Sequence, residues 1–257
     1  MTTGALSGKH ALITGGSRGI GAAIARALLH SGARVTVLGR NRERLAAAAA
    51  TLSPEVGCVV ADVGERPQVA AAFAAARAQA GEIDILVNNA GQAVSAPLGK
   101  TDAALWQRML AINLTGTYHC THEALPAMLS RGFGRIVNIA STAGKVGYAY
   151  CTAYCAAKHG VIGFTRALAL EVAERQITVN AVCPGFTDTD IVREAVANIQ
   201  RKTGRTAEEA LATLEARNPQ RRLIAPAEVA HAVLWLCLPG SESVTGQSIV
   251  LAGGELA

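Results

Sequence analysis

The feature that most constrains this chain is a steady alternation of short apolar runs with longer helical patterns. The runs at 10–14, 34–38, 57–61, 83–88, 135–140, 178–183 and 248–251 are rich in Val and Ile. Between them fall helical patterns at 20–30, 42–52, 67–80, 102–129, 153–173 and 226–238. A strand buried on both faces reads as a continuous apolar run, and parallel strands need a helical crossover to join them. Right-handed crossovers then predict an α/β fold, a doubly wound parallel sheet of about seven strands with helices on both sides. No Pro-, Gly- or Ser-rich linker divides the 257 residues, so a single domain spanning 1–257 is expected. One polar segment, 187–222, breaks the alternation with two short helical patterns at 191–200 and 206–216. Loops at the carboxyl ends of strands cover the ligand crevice in such sheets, which makes this segment a predicted substrate lid.

Composition narrows the function classes. Half of the residues are hydrophobic and 17% are charged, which excludes a disordered chain. Aromatic residues make up only 4%, too few for base-stacking platforms. The net charge of +5 is scattered, so no nucleic-acid partner is expected and small phosphorylated molecules suit it better. Six cysteines without a CxxC pair read as reduced thiols of a cytoplasmic protein. Cys151 and Cys155 stand one helical turn apart, and His119 and His122 lack a third ligand nearby, so no metal is expected. Residues 1–9 lack a signal core, and no apolar stretch reaches the ~18 residues of a membrane span.

The turn after the first strand reads Thr14-Gly15-Gly16-Ser17-Arg18-Gly19-Ile20-Gly21 and runs into a helix. Glycines there permit a tight turn and let the backbone approach a pyrophosphate, which the exposed N–H groups and the helix dipole hold. The second strand ends at Arg40, where an NAD-specific site usually places an acid for the ribose hydroxyls. Arg18 and Arg40 together suit a 2′-phosphate, so NADP(H) is the favoured cofactor, with NAD(H) left open.

Further along, Tyr154 and Lys158 stand four apart in a helical pattern and so share one face. A phenol is a poor base at neutral pH, and a nearby ammonium favours its ionised form. Tyr154 can then exchange a proton with an alcohol or carbonyl oxygen. Ser141, just past the fifth strand, can hold that oxygen and stabilise developing charge; Thr142 offers a second hydroxyl beside it.

These markers, together with Asp62, Asn88-Asn89-Ala90-Gly91, Asn113 and Pro184-Gly185, resemble the short-chain dehydrogenase/reductase family from the first strand to the last. The resemblance implies a Rossmann-type nucleotide fold and a catalytic set of Asn113, Ser141, Tyr154 and Lys158. In it, Asn113 holds a water linking Lys158 to solvent, and Lys158 bonds the nicotinamide ribose. Cofactor contacts are implied for Gly15, Ser17, Arg18, Gly19, Ile20, Gly21, Arg40, Asp62, Val63, Asn88, Ala90, Gly91, Tyr154, Lys158, Pro184, Gly185, Thr187 and Thr189. Asp62 and Val63 are expected at the adenine, Asn88, Ala90 and Gly91 near its ribose, and residues 184–189 at the nicotinamide.

The segments 134–145, 157–168 and 177–186 are most similar to β-ketoacyl reductases, both acyl-carrier-protein reductases and polyketide ketoreductases. That implies reduction of a 3-oxoacyl thioester or related ketone to the 3-hydroxy product, with acyl carrier protein or CoA as the possible thioester carrier. Arg201, Lys202, Arg205, Arg221 and Arg222 could meet a carrier protein or a pantetheine phosphate. Gln92, Ala93, Val94, Lys145, Tyr148, Phe186 and Ile191 are the candidate specificity residues. The alternatives are an NAD-dependent alcohol or 3-hydroxyacyl-CoA dehydrogenase working oxidatively and, more distantly, a non-catalytic nucleotide sensor. The resemblance also implies a homotetramer formed through the helices at 102–129 and 153–173 and the last strand.

Overall fold

The computed structural model describes residues 4–257; the first three residues of the stretch read above for a signal core lie outside the described residues. Seven strands form one parallel sheet: β1 (His10–Thr14), β2 (Arg34–Gly39), β3 (Gly57–Val60), β4 (Ile85–Asn88), β5 (Gly134–Ile139), β6 (Ile177–Pro184) and β7 (Ser248–Leu251). Their order across the sheet is β3-β2-β1-β4-β5-β6-β7. Every expected run is a strand, with the fourth beginning two residues later than read and the sixth running on to Pro184.

Strand alternation divides the core into two layers. Ala11 and Ile13 of β1 point to one face with Val35, Val37, Ile85 and Val87. Helices α1 (Gly19–His30), α2 (Arg42–Leu52) and α9 (Pro226–Cys237) cover that face with Ile24, Leu28, Leu45, Val229 and Val233. Leu12 points the other way, with Leu38, Val59, Leu86 and Ile136. Helices α3 (Arg66–Ala80), α5 (Gly116–Arg131) and α6 (Thr152–Val172) cover this second face through Phe73, Cys120, Met128 and Leu168. Both faces are thus buried, as continuous apolar runs require.

The single helix expected at 102–129 is interrupted. Helix α4 (Ala103–Leu110), whose first turn is capped by the Asp102 carboxylate on the Leu105 N–H at 2.7 Å, gives way to a π-turn at Ala111–Thr115 before α5 begins. A π-turn inserts an extra residue per turn, rotating its side chains off the helical pattern, and such turns concentrate at functional sites. Here it carries Asn113 inward. Helices α7 (Asp190–Thr203) and α8 (Ala207–Glu215) occupy the polar segment between β6 and α9. α8 starts with a reciprocal cap between Thr206 and Glu209.

Candidate active site

β1 lies between β2 and β4, so the connections leaving the carboxyl ends of β1 and β4 diverge to opposite faces and open a crevice there. Two residues fasten its walls together. The Thr14 hydroxyl accepts the main-chain N–H groups of Asn89 and Ala90, each at 2.9 Å. The Asn89 amide in turn donates to the carbonyls of Thr14 at 2.9 Å and Gly15 at 3.2 Å. Gly15 adopts φ +65°, a left-handed conformation, and a Cβ on Gly21 would run into the Gly15 carbonyl. The turn therefore closes only with glycine at both positions. Helix α1 then begins at Gly19, and its N-cap residue, Arg18, supplies no side-chain cap. Uncapped N–H groups at the start of a helix suit an anion.

Arginines flank this cradle, each beside an acid. The Arg18 guanidinium bonds the Asp190 carboxylate at the start of α7, and this bond holds the Asp190 carboxyl below its ordinary value. Arg40 comes within 3.6 Å of Asp62, whose other oxygen accepts the Gly64 N–H at 2.9 Å. The two arginines read as a phosphate pair thus each carry an acidic partner in this structure. Thr189 packs close to Gly19, so the entry to α7 touches the glycine turn directly.

At the other end of the crevice stand the four polar residues of the expected catalytic set. Ser141 leaves β5 in extended conformation and caps a short 3-10 turn, Thr142–Gly144, its Oγ accepting the Ala143 N–H at 3.1 Å. Lys158 is buried on α6, with Nζ donating to the Ile139 carbonyl at 2.8 Å. Burial lowers its pKa to about 8. Nζ lies 5.7 Å from the centre of the Tyr154 ring. Tyr154 has its pKa raised to about 12, chiefly by burial, while the neighbouring Ser141 hydroxyl pulls the other way. Asn113 is buried in the π-turn; its amide donates to the carbonyls of Gln92 at 2.9 Å and Met109 at 3.0 Å and accepts the Gln92 N–H at 3.2 Å. A Cβ on Gly91 would sit 2.9 Å from Asn113 Oδ1 and 3.7 Å from Lys158 Nζ, so Gly91, Asn113 and Lys158 share one small space.

Not every side chain at an expected contact position faces the crevice. The Asn88 side-chain amide donates to Thr121 Oγ1 at 3.0 Å and to Asn138 Oδ1 at 2.9 Å, inside the layer under α5. The cause is register, because Asn88 pairs with Asn138 and the two side chains emerge on the same buried face. Val63 likewise buries its side chain in the core, and its carbonyl meets the His119 ring at 3.0 Å. The Thr187 and Thr189 hydroxyls fold back onto the carbonyls of Gly185 at 3.0 Å and Thr187 at 3.2 Å. Arg222, read as a rim cation, is engaged by Glu228 on α9 through both guanidinium ends.

Sequence reasoning passed over the fastening role of Thr14 and Asn89. Their signal was available, because a hydroxyl closing one strand and a paired Asn closing its neighbour are suited to bridging two loops. The Gln92 backbone, which orients Asn113, carries no side-chain signal at all.

A nicotinamide dinucleotide fits these residues. The glycine turn packs so closely that a Cβ at Gly16 or Gly21 would strike Val37 or the Gly15 carbonyl, which leaves its backbone bare at the start of α1, and the buried Lys158 uses one of its three donors on Ile139, leaving two for ribose hydroxyls. Among the described residues, no group of three or more His, Cys, Asp or Glu is placed to hold a metal ion, and no helix is long and apolar enough to cross a membrane.

Comparison with known proteins agrees with this geometry. The family model described as short chain dehydrogenase matches residues 9–200. A provisionally named ketoacyl reductase of Streptomyces coelicolor is 43% identical over 252 residues, covering 95% of this chain and 95% of that protein. The D-beta-hydroxybutyrate dehydrogenase of Cupriavidus necator is 37% identical, covering 98% of this chain and 99% of the relative. Among solved structures, a single-site variant of the actinorhodin polyketide ketoreductase with NADPH superposes with a TM-score of 0.93. It is 41% identical, covering 96% of this chain and 97% of that one. The sheet order, the glycine turn and these likenesses converge on one statement: the chain belongs to the short-chain dehydrogenase/reductase family, oxidoreductases that interconvert ketones and alcohols with a nicotinamide cofactor.

Proposed function

We propose that the protein is an NADP(H)-dependent reductase of 3-oxoacyl thioesters or related ketones, with Ser141, Tyr154, Lys158 and Asn113 as its catalytic residues. The observation that carries this reading is the buried Lys158, set one helical turn from Tyr154 and beside Asn113. A lysine is buried at such a place only at considerable cost, and a cleft lined by perturbed titratable groups is a functional-site signature. Similarity to relatives named as ketoacyl reductases supports the direction and the substrate class.

Bound cofactor supplies the hydride; the chain supplies position and the proton. Ser141 Oγ holds the carbonyl oxygen as negative charge grows there. Tyr154, kept protonated by its raised pKa, gives its phenolic proton to that oxygen. The Lys158 ammonium, close to the Tyr154 ring, stabilises the phenolate left behind. Asn113, fixed by the Gln92 backbone and the π-turn, holds the water through which Lys158 meets solvent. The Gly15–Gly21 turn cradles the pyrophosphate, and Arg18 and Arg40 turn toward the 2′-phosphate in place of Asp190 and Asp62. The segment from Thr187 to Arg222, including α7 and α8, forms the lid over the acyl chain of a single catalytic domain.

The likeness to a D-beta-hydroxybutyrate dehydrogenase favours a second reading, oxidation of a 3-hydroxy acid with NAD. Fluorescence titration decides between them, since tighter NADH than NADPH binding overturns the assignment of Arg40. The test of the catalytic set is Tyr154→Phe. It should lower turnover of an acetoacetyl thioester by at least about a thousandfold while NADPH still binds, in line with removal of an essential acid. Retained turnover would reject Tyr154 as the proton donor.

A further inference from the structure

The C-terminal segment brings a carboxylate into the site that the reading above does not use. After β7 the chain turns through Gly253 and Gly254, and the Glu255 N–H bonds the Ala252 carbonyl at 3.1 Å. Glu255 is half-buried, and its two oxygens serve different walls. Oε1 accepts the phenolic proton of Tyr148. Oε2 lies 3.2 Å from where a Cβ on Gly185 would stand, so the end of β6 makes room for this carboxylate by having glycine there.

Tyr148 carries the contact onward. Its hydroxyl oxygen lies 2.8 Å from Thr142 Oγ1. An ionised carboxylate only accepts, so the phenolic proton points to Glu255 and the phenol oxygen is left to accept from Thr142. The direction of the whole chain of hydrogen bonds is therefore set by Glu255. Its ring is fixed as well, edge-on to Phe186 with centroids 6.2 Å apart and 4.8 Å from the Arg217 guanidinium. Thr142 is buried and immediately follows Ser141, and its carbonyl accepts the N–H groups of Lys145 at 2.9 Å and Val146 at 3.0 Å. Those bonds close the turn that Ser141 caps.

We propose that Glu255 is a positioning residue of the reductase site: packed beside Gly185 at the end of β6, it fixes through Tyr148 and Thr142 the turn that presents the Ser141 hydroxyl. The inference rests on the reading of Ser141 as the group that holds the carbonyl oxygen. None of these contacts involves the glycine turn, so the cradle formed by that turn is independent of Glu255.

The test uses the whole protein in four variants, Glu255→Ala, Glu255→Gln, Tyr148→Phe and the double variant Glu255→Ala/Tyr148→Phe. With acetoacetyl-CoA and saturating NADPH, Glu255→Ala and Tyr148→Phe should each lower kcat by roughly tenfold, and the double variant should fall no further than either. Glu255→Gln, whose amide oxygen still accepts from Tyr148, should recover most of the rate. NADPH affinity should stay within about twofold throughout. Losses that multiply in the double variant, or that track cofactor affinity, overturn the proposal. A second readout needs no substrate. Amide hydrogen exchange of Ala143 to Val146 should speed up in Glu255→Ala and Tyr148→Phe and stay slow in Glu255→Gln; unchanged exchange in Glu255→Ala equally overturns it. If the wild-type protein reduces no 3-oxo thioester while the exchange pattern holds, the substrate reading fails and the positioning role stands.

Discussion

Lys158 illustrates how much a single buried residue decides. Its ammonium has lost water and gained one carbonyl, and burial lowers its pKa to about 8. The charged form is thus complete well below pH 8 and fades above it. A dinucleotide whose ribose hydroxyls and pyrophosphate favour the ammonium raises that pKa on binding, so proton uptake accompanies binding above pH 8. NADPH affinity should therefore fall as pH rises from about 8 toward the higher pKa of the complex, by at most about tenfold per pH unit. Fluorescence titration between about pH 7 and about pH 10 checks this, and the fall should vanish in Lys158→Met. At this scale the sequence was informative wherever residue type alone names the chemistry. Tyr154, Lys158 and the glycines stood out by residue type, whereas the direction of the Asn88 side chain depends on strand register with Asn138, which residue type does not reveal.

The entry to α7 is where the proposed lid meets the glycine turn. Asp190 in its first turn holds Arg18 of the glycine turn and also Arg193, while Thr189 packs close to Gly19. Exposed pairs of this kind contribute about 0–1 kcal/mol, little enough for a phosphate dianion to displace one. Asp190→Ala should free Arg18 and raise the preference for NADPH over NADH by roughly threefold, read as the ratio of the two dissociation constants. Arg18→Ala should move the ratio the other way. An unchanged ratio in both would remove Arg18 from 2′-phosphate recognition. Elements were easier to read than their irregularities. Strands buried on both faces leave an unmistakable apolar run, but the π-turn at Ala111–Thr115 leaves none, since one inserted residue barely disturbs a helical pattern over 102–129. That interruption is what turns Asn113 from a mid-helix residue into a buried part of the site.

Across the whole molecule, several large apolar residues stay exposed outside the two core layers. Leu170 of α6 is 83% exposed, and Tyr118 and Leu129 of α5 are exposed as well. β7 closes one edge of the sheet, and among the described residues no strand pairs with its outer side. Both faces suit association of copies, in keeping with the tetramer expected from family resemblance. Leu170→Arg should shift the mass measured by light scattering from a tetramer toward a smaller species with the fold retained by circular dichroism. A monomeric wild-type protein would refute that assembly. Contacts at this scale were the least legible in the chain. Tyr148 and Glu255 are 107 residues apart, and nothing in either neighbourhood announces the other.

The strand order also has a consequence for how the protein is made. β1 forms its second ladder with β4, where Ala11 meets Ile85, so the middle of the sheet stays open until Asn88 has been synthesised. β5, β6 and β7 then add one after another on the β4 side. A chain grown through residue 91 contains β1 to β4, the glycine turn and the Asn89 and Ala90 groups that bond Thr14, while Ser141, Tyr154 and Lys158 have yet to be made. The residues of the glycine turn and its fastening loop thus precede the expected catalytic set in the order of synthesis.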